Sequence, residues 1–265
     1  MTAVTADIAA AGRGADFVVI GDGGPPPVGV VCFHFAGGSA QSFFRWRGAA
    51  RAAGCALIAA ELPGRGRRLR EGFVPSLASA AMALARSFAA LAAAMPDKRW
   101  VFFGHSMGAL LAYETVRRLR ADGGPQPQGL IVSARHAPGW HPVSSGLPEL
   151  SDEALCDYLR HLDGTPAAIL DNPAFMAMAL PILRADLGLL YGYAHVLGQP
   201  LDMPVLTIGA SADGRVPLEA LVAWGTATQG AFRLRMVPGG HFSLLDEPAI
   251  VFDAAREMAN GRNMA

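Results

Sequence analysis

A chain of 265 residues, 52% hydrophobic and 17% charged, is long enough for one sizeable α/β domain and too apolar to be a disordered polymer. Twenty-two basic residues balance twenty-two acidic ones, so no net field recruits nucleic acid or an anionic membrane surface. Cys32, Cys55 and Cys156 make an odd count without CxxC spacing, which excludes a disulfide framework or a thiolate zinc site as the organising element.

The first residues carry an acid early and lack a continuous apolar core of signal-peptide length. Apolar runs at 17–20 and 28–33 read as two strands around a Gly/Pro turn. A connection that short predicts that they pair antiparallel. A helix near 40–52 and a strand at 56–60 follow, then a long helix after Pro75 with Ser76 as its N-cap. Ser79, Arg86 and Ser87 interrupt that helix, so no segment is expected to span a membrane. A strand at 100–103 runs into a helix at 107–120, closed by Gly123 and Gly124.

Further strands at 130–133, 205–208 and 232–237 complete a sheet, and a helix at 249–258 ends the pattern. Strands alternating with helices predict a mostly parallel central sheet flanked by helices, in a single domain over 1–265. Residues 150–193 break the alternation. Helices are expected at 151–162, 166–171 and 173–193, with Pro181 placed to kink the third. This insertion, about 147–195, lies where a lid would cover a pocket; the plain alternative is an extra packing layer.

Gly104-His105-Ser106-Met107-Gly108 is a GxSxG pentapeptide that follows a strand directly and opens a helix directly. The context matters, because the turn holds the serine hydroxyl above the sheet while the flanking glycines let strand and helix approach. This is the nucleophile turn of the α/β-hydrolase fold. A serine attacks only if a base takes its proton and a carboxylate orients the base, and in this fold the order is Ser, Asp or Glu, then His. Asp213 follows the strand at 205–208, and His241 follows the strand at 232–237.

The competitors fit less well. Asp202 precedes its strand, Asp246 and Glu247 lie beyond the histidine, and His136 and His141 would break the order. His105 sits inside the nucleophile motif as a packed or hydrogen-bonded neighbour. Ser106, His241 and Asp213 are therefore the expected triad. Two backbone N–H groups must hold the oxyanion: Met107, just after the nucleophile, and Ala36, in the glycine-bearing loop Phe35-Ala36-Gly37-Gly38.

Four ordered blocks carry a resemblance. They are Cys32-Phe33-His34-Phe35-Ala36-Gly37-Gly38-Ser39-Ala40 with Phe44-Arg45-Trp46 behind it, Glu61-Leu62-Pro63-Gly64-Arg65-Gly66-Arg67-Arg68, Phe103-Gly104-His105-Ser106-Met107-Gly108-Ala109, and Pro238-Gly239-Gly240-His241-Phe242. Together they resemble the type II thioesterases, the stand-alone editing enzymes of polyketide synthases and nonribosomal peptide synthetases. Leu183-Arg184-Ala185-Asp186 resembles a stretch in that family's lid. The similarity runs from about residue 30 to residue 248. Two positions depart from the pattern: His34 replaces the usual proline of the first block, and Ser211 and Gly214 replace an acid and a proline in the acid loop. Asp213 keeps the family's triad position.

The resemblance implies hydrolysis of short or aberrant acyl groups from the phosphopantetheine thiol of an acyl or peptidyl carrier protein. It adds no metal and no cofactor of the enzyme's own. Alternative readings are a serine esterase, an acyl-CoA or chain-releasing thioesterase of the same fold, or a non-catalytic module that binds an acylated carrier. The apolar face of the third inserted helix, including Met176, Met178, Leu180 and Ile182, is expected to line an acyl channel or to pack as core. Arg65, Arg67, Arg68 and Arg70 form a dense basic cluster that reads as a solvated loop or as a dock for an acidic carrier. A cytoplasmic monomer is expected.

Overall fold

A computed structural model describes residues 16–21, 27–140, 149–160 and 167–261. Among these, seven strands form one sheet in the order β1-β3-β2-β4-β5-β6-β7. They are β1 (Phe17–Gly21), β2 (Val28–Phe33), β3 (Cys55–Ala60), β4 (Arg99–His105), β5 (Gly129–Ser133), β6 (Val205–Ala210) and β7 (Phe232–Val237). All neighbours run parallel except β1 and β3.

The first two strands do not pair with each other as their short connection predicts. β1 lies antiparallel on the outer edge of β3, with Phe17 opposite Ala60. β2 has parallel partners on both sides, β3 and β4, and all six of its residues are buried. No edge of β2 is left for β1 to occupy, so the chain steps over one strand.

Period-two alternation divides the core. Val31 and Phe33 of β2 join one apolar cluster, and Val30 and Cys32 join the other. The first cluster is closed by α2 (Leu77–Ala94) and α3 (Met107–Ala121), which contribute Leu84, Phe88, Leu91, Val116 and Leu119. The second is closed by α1 (Arg47–Ala52) and α8 (Pro248–Ala259), through Ala50, Val251, Phe252 and Met258. Ser76 caps α2 as expected, its hydroxyl accepting the Ser79 N–H at 3.1 Å.

Between β5 and β6 lie the inserted helices α4 (Asp152–Arg160), α5 (Ala167–Leu170) and α6 (Pro173–Tyr191), with Pro181 inside α6. The ends expected at residues 162 and 166 fall outside the described residues. Leu155, Leu170, Met176, Leu180, Leu183 and Leu187 form a small core of their own, and Ala36 packs against it. A short α7 (Leu218–Val222) precedes β7.

Contrary to the sequence expectation, α2 and α6 are long and apolar enough to cross a membrane. One arginine and two serines in the eighteen residues of α2 do not lower its hydropathy enough to fail that test. Its apolar face, Leu77, Leu84, Phe88 and Leu91, is spent instead on the protein core.

Candidate active site

The parallel strands end at one edge of the sheet, and the loops there carry the chemistry. Ser106 sits between β4 and α3 with φ 53° and ψ −113°. A non-glycine residue adopts that left-handed conformation only when its surroundings enforce it. Here the Ser106 N–H donates to the Ser133 carbonyl at 2.8 Å. A methyl group at Gly104 would overlap the backbone of Gly108, and one at Gly108 would overlap the backbone of Phe33. The glycines are what allow β4, α3 and β2 to crowd around the serine.

His241 Nε2 lies 3.2 Å from Ser106 Oγ, and His241 Nδ1 lies 2.7 Å from Asp213 Oδ2. The structure thus brings together the three residues expected from the sequence, from the loops after β4, β6 and β7. An ionised carboxylate only accepts, so Nδ1 carries the proton and the Nε2 lone pair faces the serine hydroxyl. Burial opposes ionisation of Asp213. The His241 hydrogen bond and charge, the Arg215 N–H at 3.1 Å and the Arg215 charge outweigh it, holding the carboxyl below its ordinary value.

Met107 is the first residue of α3, where an N–H has no intrahelical acceptor and faces the favourable end of the helix dipole. In the loop after β2, two N–H groups are already committed: Gly38 donates to the Phe35 carbonyl at 3.0 Å and Gly37 to Asp186 Oδ2 at 2.8 Å. Neither of these two N–H groups is free to meet a substrate oxygen. His34, where the resemblance leads one to expect proline, is fully buried and donates from Nδ1 to the Phe35 carbonyl at 2.9 Å. Burial, with the nearby Arg65 charge, lowers its pKa to about 4, partly opposed by Asp186 and by that hydrogen bond.

The basic cluster comes apart in three dimensions. Arg65 is 1% exposed and binds both carboxylate oxygens of Asp186, at 2.5 and 2.8 Å, and the Gly38 carbonyl at 3.3 Å. Arg68 binds Asp16, Glu71 and the Glu61 carbonyl. Neither is a free docking cation; only Arg67 and Arg70 are exposed. The sequence reading missed the Arg65–Asp186 pair. Its one signal was that both residues fall within the family-like blocks.

The other histidines stay out of the triad. His105 is buried and hydrogen-bonds Ser133 Oγ through Nδ1 at 2.8 Å. His136 is half-buried, and His141 lies outside the described residues. On α6, Met176, Leu180 and Leu187 are buried in the small core. Met178 and Ile182 instead line an open groove of about 270 Å³ with Leu69, Phe73 and Pro181.

A family model described as a thioesterase domain matches residues 29–257. The chain is 36% identical over 220 residues to the thioesterase PikA5 of Streptomyces venezuelae, covering 83% of this chain and 76% of that protein. It is 32% identical over 217 residues to the gramicidin S biosynthesis protein GrsT of Aneurinibacillus migulanus, covering 81% and 82%. Among solved structures, the type II thioesterase BorB of the borrelidin biosynthetic cluster superposes with a TM-score of 0.80 at 30% identity, covering 92% of this chain and 98% of that one. YbtT, the type II thioesterase of a yersiniabactin pathway, gives 0.81 at 29%, covering 93% and 98%.

Proposed function

The chain belongs to the thioesterase family of the α/β-hydrolase fold, in its type II branch, and from that premise we propose that it hydrolyses short or aberrant acyl groups from the phosphopantetheine thiol of a carrier protein through Ser106, His241 and Asp213. Such a reaction clears a stalled polyketide or nonribosomal peptide assembly line. The observation that carries the reading is the hydrogen-bonded chain from Ser106 through His241 to Asp213, set in a type II thioesterase framework.

His241 Nε2 takes the Ser106 hydroxyl proton as Oγ attacks the thioester carbonyl, and Asp213 stabilises the imidazolium. The Met107 and Ala36 N–H groups hold the oxyanion. The carbon–sulfur bond breaks, His241 returns the proton to the departing thiolate, and the acyl group remains on Ser106. Water then gives a proton to the same nitrogen as it attacks the ester. Collapse releases the acid and restores the serine hydroxyl. In this reading α4 to α6 form the lid, and the exposed Arg67 and Arg70 face an acidic carrier.

The test is hydrolysis of acetyl, propionyl and longer acyl groups from a phosphopantetheinylated carrier, beside matched small thioesters, with Ser106→Ala as control. Ser106-dependent release of short groups from the carrier is expected. Turnover of the small thioesters with the carrier untouched would remove the assembly-line role and leave a serine hydrolase.

A further inference from the structure

Arg135 lies two residues beyond Ser133, whose carbonyl receives the Ser106 N–H. Its backbone is fixed from both sides. Ala134 before it has φ 52°, a left-handed turn that a non-glycine residue takes only under constraint. The Arg135 carbonyl accepts Trp224 Nε1–H at 2.9 Å. Its guanidinium is within electrostatic reach of the phenols of Tyr158 on α4, Tyr191 at the end of α6 and Tyr193 just beyond it.

No carboxylate among the described residues acts on Arg135, and its Nε is buried without a hydrogen-bond partner. Desolvation lowers its pKa to about 10, so it remains a cation at neutral pH. Arg135 is half-buried, and a desolvated guanidinium with no anion among the described residues is a costly arrangement. Arg65 shows what the same fold does with a buried arginine that has only a structural task, since a carboxylate holds it through both oxygens.

A second cation stands nearby. Arg215, two residues past Asp213, donates from Nη1 to the Tyr158 hydroxyl at 2.9 Å and lies over the same ring at 4.6 Å. It is exposed and forms no carboxylate ion pair among the described residues. The charges of both arginines act on Tyr158, and Arg215 also meets its hydroxyl and ring directly.

We propose that Arg135 and Arg215, joined by Tyr158, form an anion subsite that binds a charged oxygen group of the substrate away from the thioester. The reading rests on the proposed carrier-thioester hydrolysis, whose substrates offer two such groups. One is the phosphate of the phosphopantetheine arm, and the other is a second carboxylate on the acyl group. Both are planar or tetrahedral oxyanions suited to a guanidinium.

Three compounds separate the sources: butyryl-pantetheine, which carries neither group, butyryl-4′-phosphopantetheine and succinyl-pantetheine. Their binding to Ser106→Ala protein is measured by calorimetry and their turnover by the wild type. One charged compound should bind roughly tenfold or more tightly than the neutral one, the scale of a charge-assisted hydrogen bond. Which one it is names the source. Arg135→Gln and Arg215→Gln, each in the Ser106→Ala background where only binding is read, should erase most of that advantage, and Arg135→Lys should keep part of it. Arg215 is exposed, so its variant reports even where Arg135→Gln fails to fold. Equal binding of all three compounds, or an advantage that survives Arg215→Gln, would overturn the subsite. Normal binding with no Ser106-dependent turnover would overturn the hydrolase reading and leave the subsite standing.

Discussion

Asp186 accepts the Gly37 N–H at 2.8 Å across 149 positions of sequence, and the same carboxylate holds the Arg65 guanidinium through both of its oxygens. A helix of the inserted segment therefore fixes the loop beside the nucleophile. Leu183, one turn earlier on α6, rests against Gly37 as well. Any shift of α6 changes what that loop can offer an oxyanion.

Asp186→Ala should lower stability by about 3–5 kcal/mol, because it leaves the Arg65 charge buried and unpaired. Thermal unfolding measures this. The double change Arg65→Met with Asp186→Leu should recover much of the stability and little of the kcat, since Gly37 still lacks its acceptor. Recovery of full kcat by the double variant would show that the pair has no part in setting the loop.

Ser106→Ala should abolish turnover, by up to about a million-fold, without relieving the φ of 53°. Ser106→Gly should be equally inactive and more stable than Ser106→Ala by about 1 kcal/mol, because glycine accepts that conformation freely. Equal melting temperatures for the two variants would argue that the turn stores no strain.

His34 gives stability a defined pH dependence. Its pKa falls from 6.5 to about 4 on folding, so between those values the unfolded chain binds a proton that the folded chain does not. The contribution is fully present above pH 6.5 and is lost as the pH falls toward 4, by about 3 kcal/mol in total. Burial, with the His241 charge, displaces His105 in the same direction. Urea unfolding across this range should show the loss, and His34→Gln should reduce it, leaving the part due to His105.

Charge reversal at Arg67 and Arg70 should raise KM for a carrier-bound acyl group by about fivefold to tenfold, more at low salt, and leave a small thioester unaffected. Arg68→Glu should act differently. It breaks contacts to Asp16, Glu71 and the Glu61 carbonyl, and its effect should appear in the melting temperature. Equal KM changes on both substrates would remove these arginines from carrier docking.

The nucleophile turn was legible because its signal is local: an apolar strand, a GxSxG turn and a helix follow within a few residues. The placement of Asp213 and His241 near Ser106 was legible from strand order, since each follows a strand of a parallel sheet. The partner of β1 was not, because a short connection limits where a strand can go without naming the edge it takes. Arg65 read as one of four basic residues in a loop; its burial depends on a carboxylate 121 positions away. Arg135 carried no signal at all, since an arginine whose Nε is buried without a partner looks in sequence like any other.

The proposed triad draws on the ends of three strands spread along the chain, and His241 follows Ser106 by 135 residues. At the pace of ribosomal synthesis the nucleophile waits roughly ten seconds for its base to be made, and longer for β7 to join the sheet. An unfinished copy holds a serine with nothing to activate it. Catalytic competence arrives with the completion of folding, so a covalent serine probe added to translating ribosomes would label only chains that have finished the fold.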